Sequence, residues 1–170
     1  MKYEDYIVNI PDFPIPGIQF KDITPLIGEG KAFHKAVSEL AEFGKSVHAT
    51  KVVGPDARGF IIGAPVACML EIGFVPVRKP GKLPREVVRY DYDLEYGKNT
   101  LCLHKEDIRQ GDKVVIIDDL LATGGTMQAT IRLVEQAGGE VVGLGFMIEL
   151  TELNGREKFP EYPIKVLIKY

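Results

Sequence analysis

Val114-Val115-Ile116-Ile117-Asp118-Asp119-Leu120-Leu121-Ala122-Thr123-Gly124-Gly125-Thr126 is the stretch from which the fold can be read. An apolar, β-branched run meets two acids and then a turn of small residues. Beyond it, Met127, Ile131 and Val134 recur at the spacing of one helix face until Gly138 stops the pattern. A run with no polar alternation suits a strand covered on both faces, as strands of parallel sheets are. The segment therefore reads as a buried strand ending in two acids, a turn, and a helix. In open α/β sheets, ligands gather beyond the carboxyl ends of the strands, which is where this turn falls. Gly124 and Gly125 allow backbone N–H groups to approach an anion at the positive end of the helix, and Thr123 and Thr126 add hydroxyls. The expected guest is a phosphate.

Outward from this segment the alternation repeats. Lys51–Gly54, Phe74–Val77, Val141–Ile148 and Ile164–Ile168 are further short runs rich in β-branched residues, each bounded by glycine, proline or charge. With Lys113–Ile117 they make five strands. Phe33, Val37 and Leu40 mark one face of a helix ahead of them. The pattern predicts an α/β fold with a mainly parallel, five-stranded sheet flanked by helices. Two stretches break the rhythm. Residues 10–28 hold Pro11, Pro14, Pro16, Gly17 and Pro25, a density that opposes a regular helix and predicts an extended flap. Residues 78–97 hold Pro80, Gly81 and Pro84 and read as a loop of 20 residues, long enough to suggest a functional role.

Composition narrows the classes. The 170 residues are 45% hydrophobic and 26% charged, which suits one domain spanning 1–170. With 24 acids against 21 bases the chain has no global positive field, so a dedicated nucleic-acid binder is disfavoured. Apolar runs such as Gly59–Leu70 are too short to cross a bilayer. The opening MKYEDYIVNIPDF carries acids and lacks the apolar core of a secretory signal, so a cytoplasmic location is expected, with no membrane or nucleic-acid partner. Cys68 and Cys102 have no second metal-type ligand nearby and are expected to be buried, reduced thiols.

The turn after the central strand is neither a G-x-x-x-x-G-K-[ST] loop nor a G-x-G-x-x-G turn, because the lysine and the third glycine are missing. Nucleoside-triphosphate and dinucleotide sites are thus disfavoured. Asp118 and Asp119 would repel a phosphate, so their sensible targets are sugar hydroxyls or a hydrated Mg²⁺. A phosphate on the turn and hydroxyls on the acids describe a phosphorylated ribose.

At this point the segment resembles the phosphoribosyl-diphosphate motif of the type I phosphoribosyltransferases. Four further segments resemble the adenine-using branch of that family in the same order: Pro14–Ile23, Ala57–Phe60, Val75–Pro84 and Tyr92–Gly97. The resemblance implies that adenine and phosphoribosyl diphosphate (PRPP) give AMP and pyrophosphate, with Mg²⁺ accompanying the diphosphate, in a homodimer. It implies a hood over about residues 1–30 and a flexible catalytic loop over 78–97. Ala122, Thr123, Gly124, Gly125 and Thr126 would hold the 5′-phosphate, and Asp118 and Asp119 the ribose hydroxyls, directly or through Mg²⁺. Asp56, Ala57, Arg58, Lys79 and Lys82 would receive pyrophosphate, with a cis bond expected between Asp56 and Ala57. Arg58 and Glu95 are the implied catalytic residues, Glu95 exchanging a proton with the purine as the loop, including Tyr96, closes. Phe20 and Leu120 would wall the adenine, with backbone groups near Gln19 reading its amino edge. Lys21 stands where many relatives carry arginine, a departure that removes any bidentate contact there.

Five bases, Arg78, Lys79, Lys82, Arg85 and Arg89, stand in the twelve positions 78–89 against the single acid Glu86, a local anion trap in an acidic chain. His34 and His48 read as surface residues. His104 ends a strand, within possible reach of a phosphate across a subunit boundary. Asp91, Asp93, Glu149 and Glu152 read as solvated acids. Two rivals remain open: transfer to hypoxanthine, guanine or xanthine, and a non-catalytic sensor of phosphoribosyl diphosphate.

Overall fold

The computed structural model describes residues 1–94 and 97–170. Five strands, β3 (Lys51–Pro55), β4 (Gly73–Val77), β7 (Lys113–Leu121), β8 (Glu140–Glu149) and β9 (Ile164–Lys169), form one sheet in the order β4-β3-β7-β8-β9. Every neighbouring pair is parallel. The five strands read from the sequence are these five. β7 is central because Val114, Val115, Ile116 and Ile117 are fully buried and can be covered only from both faces. The strand does not end at the acids as expected: it pairs on with β8 as far as Leu121 opposite Glu149, so both acids lie within the sheet.

One face of the sheet carries α1 (Thr24–Gly28), α2 (Gly30–Ser46) and α3 (Arg58–Leu70); the other carries α4 (Gly125–Gln136). On α2, Val37 and Leu40 are buried and Phe33 half-buried, as their spacing predicts. Glycines in β8 let that helix sit close: a Cβ on Gly143 would meet the Phe43 ring at 2.8 Å, and one on Gly145 would meet Leu40 at 3.3 Å. On the opposite face, Leu144 and Phe146 join Met127, Ile131 and Val134 in a second core. Each fully buried side chain of this size contributes about 1.5–3 kcal/mol of apolar burial.

The proline-rich stretch is a hairpin, β1 (Val8–Pro11) against β2 (Gln19–Asp22). It is followed by the short α1, which forms despite Pro25 because proline in a first helical turn costs no backbone bond. The expected structureless loop over 78–97 is also partly regular. β5 (Val87–Leu94) pairs antiparallel with β6 (Gly97–His104), and Val88, Tyr90 and Tyr92 alternate inward against the α4 core. That alternation is what the charged residues between them obscured. Among the described residues no helix is long and apolar enough to cross a membrane. α3 is apolar nearly all round, so Ile61, Ala64, Cys68 and Met69 are exposed on it, and Cys68 is not the buried thiol expected; Cys102 is.

Candidate active site

The carboxyl end of β7 puts Asp118 and Asp119 on opposite sides of one strand. The Asp119 N–H donates to Asp118 Oδ1 at 2.8 Å. Asp118 points toward the first turn of α3, where a Cβ on Gly59 would stand 3.1 Å from its Oδ1. Burial, and then the charge of Asp119, push the Asp118 carboxyl well above the usual carboxylate range. Asp119 instead takes the Arg58 Nε at 2.8 Å, with its side chain 11% exposed. The two acids are therefore unlike: burial shifts one toward its protonated form, and the other is an ion-paired acceptor. A cation taken up by Asp119 would first have to displace Arg58.

The turn from Ala122 to Gly125 leads into α4. Gly124 has φ +88°, a left-handed conformation that lets the chain reverse into the helix, and Gly125 opens it. The first N–H groups of a helix lack intrahelical partners, so this turn offers donors beside the exposed Thr123 and Thr126. Leu120–Met127, Asp118, Asp119 and Pro55–Arg58 together line one cleft of about 280 Å³. The five turn residues named from the sequence and both acids share this opening.

The turn after β3 closes the other side. Its Asp56–Ala57 bond is cis, as expected. Asp56 accepts from Arg78 Nε at 2.8 Å, tying the turn to the end of β4. A second cleft of about 370 Å³ adjoins the first through Pro55, Asp56, Ala57 and Thr126, and receives Arg78, Lys79 and Lys82. Sequence reading missed its far wall, Tyr92, Asn99 and Leu101, because these belong to the unrecognised hairpin. The basic cluster is smaller than the sequence suggested. Arg85 is spent on Asp107 at 2.8 Å and Glu106 at 3.7 Å, and Arg89 is exposed within β5.

Above the first cleft, the hood brings Phe20 over Arg58, whose guanidinium carbon is 5.0 Å from the ring centroid, a cation–π contact. Phe13 meets Phe20 edge-on at 5.2 Å. Gln19 is exposed and accepts from Asn9 Nδ2 at 2.8 Å; Lys21 lies 4.2 Å over the Tyr170 ring. Leu120 lines the first cleft. Glu95 and Tyr96 lie outside the described residues.

His104 is buried within its own chain: its Nε2 accepts from the Arg85 N–H at 3.3 Å and its Nδ1 is 3.1 Å from Asp107 Oδ2. It anchors the base of the basic loop. Glu149 is not solvated but 2% exposed, held bidentately by Arg156 at 2.6 Å through each oxygen.

A β-strand, a phosphate-type turn and paired acids at the carboxyl edge of a parallel sheet are the features of a phosphoribosyl-handling protein, and residues 27–169 match the family described as the phosphoribosyl transferase domain. The chain belongs to the phosphoribosyltransferase family. Within it the chain groups with the adenine phosphoribosyltransferases, pentosyltransferases of purine salvage. It is 57% identical over 168 residues to the adenine phosphoribosyltransferase of Lactobacillus gasseri, covering 99% of this chain and 96% of that one. A crystal structure of the enzyme from Thermoanaerobacter pseudethanolicus superposes with a TM-score of 0.95 at 50% identity, covering 99% of this chain and 98% of that one. The Giardia lamblia enzyme, solved with 9-deazaadenine, gives a TM-score of 0.92 at 38% identity, covering 100% and 98%.

Proposed function

We propose that the chain moves the phosphoribosyl group of PRPP onto adenine. The bond from ribose C1 to the pyrophosphate oxygen breaks, a bond from C1 to the purine nitrogen forms, and the purine gives up one proton. The observation that carries this reading is the junction of the two clefts: one joins a helix-opening turn to paired acids, the other joins the first to Lys79 and Lys82. A sugar anchored by its 5′-phosphate on Ala122–Thr126 would present its hydroxyls to Asp118 and Asp119 and its C1 toward the Pro55–Arg58 turn.

The leaving pyrophosphate carries several charges, so alignment and charge stabilisation matter more than a strong nucleophile. Lys79, Lys82 and the backbone of Asp56 and Ala57 would receive it, with Mg²⁺ arriving as the diphosphate's own counter-ion. Asp119 must exchange Arg58 for ribose hydroxyls, which frees that guanidinium for the developing negative charge. Glu95 is assigned the purine proton, and Phe20 and Leu120 the faces of the base. The apolar strip Ile61, Ala64, Cys68 and Met69 on α3 supports a homodimer, since a helix apolar on every side is one that something covers.

Purified protein given PRPP, Mg²⁺ and each purine base in turn, followed through both nucleotide and pyrophosphate, tests the reading. Fastest turnover with adenine is expected, and a preference for guanine or hypoxanthine would overturn it. Glu95→Gln should lose turnover while retaining PRPP binding.

A further inference from the structure

The connection between β8 and β9, residues 150–163, touches neither cleft, yet it is built against the underside of the phosphate-type turn. The Leu150 N–H donates to the Leu121 carbonyl at 3.0 Å, continuing the β7–β8 ladder to the edge of the turn. Asn154 then takes a left-handed conformation, φ +53°, and drives the chain back beneath Ala122. Gly155 arrives so close that a Cβ there would be forced into the Ala122 carbonyl oxygen and lie 3.1 Å from Leu121 Cδ1. Phe159, 2% exposed, fills the space under Gly124, where a Cβ on that glycine would stand 3.0 Å from the ring and 3.2 Å from the Gly155 carbonyl.

Such close backbone approach needs something to hold it. Arg156, the residue after Gly155, forks onto Glu149 at the end of β8 through Nε and Nη2, each at 2.6 Å. Arg156 holds the Glu149 carboxyl below its usual range. The Thr151 N–H and hydroxyl both donate to a Tyr170 backbone oxygen, at 2.8 and 2.7 Å, pinning the start of the connection. A fully buried glutamate is costly unless paired, so Arg156 is held to the end of β8 and Gly155 with it.

We propose that Gly155, Phe159 and the Glu149–Arg156 pair are positioning residues that mould the Ala122–Gly124 backbone into its phosphate-receiving shape. The inference rests on the reading that this turn takes the 5′-phosphate. Because none of them lines either cleft and the part of the site they meet is the turn, they govern the phosphate-dependent share of nucleotide affinity and leave the contribution of base and sugar alone.

The test compares AMP with adenosine, which lacks the phosphate, by calorimetric titration of wild type, Gly155→Ala, Arg156→Gln, Arg156→Lys and Thr126→Val. Gly155→Ala and Arg156→Gln should each weaken AMP by about 10-fold while adenosine stays within about twofold, since small displacements at a positioned contact are amplified in affinity and rate. Arg156→Lys should recover part of the loss. If AMP and adenosine weaken equally, or neither weakens while Thr126→Val loses AMP selectively, the positioning role is overturned. If Thr126→Val also keeps full AMP affinity, it is the phosphate assignment of the turn that fails. Should Gly155→Ala not fold, the two Arg156 variants decide by the same criteria.

Discussion

Gly59→Ala is the smallest change that should separate the two halves of the site. Gly59 follows Arg58 in the first turn of α3, and a Cβ built on it lies 2.8 Å from Pro55 Cδ, 3.1 Å from Asp118 Oδ1 and 3.3 Å from the Ile117 carbonyl. Unstrained contact needs about 3.5–4.0 Å, so α3 must retreat from β7 by several tenths of an ångström. Its helical backbone accepts alanine, which confines the damage to this crowding. Overpacking of this kind costs about 1–3 kcal/mol. For a chain of this size that lowers the melting midpoint by about 2–12 °C. The same retreat carries Arg58 and the Asp56–Ala57 turn away from the acids, and misplacement approaching 1 Å costs about 100-fold in rate. Gly30→Ala supplies the control: it too sits in a helix, but nothing lies within 4 Å of its Cβ. It should match or exceed wild-type stability by up to about 1 kcal/mol with unchanged turnover. Differential scanning calorimetry and steady-state rates on both variants check the argument. A Gly59→Ala protein as stable and as fast as the Gly30→Ala protein would refute it.

Three further outcomes are expected. Because burial raises the folded-state pKa of Asp118, its favourable contribution is full below the ordinary aspartate range of about 4 and is lost as pH rises toward the raised value. Asp118→Asn should therefore gain stability relative to wild type as pH is raised from about 4 to 8, and melting midpoints that differ by a constant amount across that range would contradict this. Replacing Lys79 and Lys82 with glutamine should raise the KM for PRPP by about 2–5-fold per lysine, with a shallower salt dependence and no change in the KM for adenine. Phe146→Ala, at a fully buried position of β8 paired with Asp118 of β7, should cost about 3–5 kcal/mol in denaturant titration, and a loss below about 1 kcal/mol would contradict that packing.

The sheet was legible because its signal is local. Continuous β-branched runs have one common interpretation, and Val114–Thr126 contains strand, turn and helix start within a few residues. The turn and the acids were legible for the same reason. What escaped was set by tertiary partners. The Val87–Leu94 strand alternates apolar and charged residues, and only its register with Gly97–His104 reveals the inward face. Glu149 looks like a solvated acid until Arg156, seven residues further on, folds back to meet it, and the burial of His104 depends on Arg85 arriving from another segment. The division of labour between Asp118 and Asp119 depends on which side of β7 each occupies and on where Arg58 arrives, facts that adjacency in sequence does not carry.

The chemistry of the site turns on where a phosphate rests. A crystal of the protein grown with AMP should hold the monophosphate against the backbone N–H groups of Thr123–Thr126, with the ribose hydroxyls turned to Asp118 and Asp119 and the base beneath Phe20. A bound nucleotide whose phosphate sits elsewhere, with that turn empty, would contradict it.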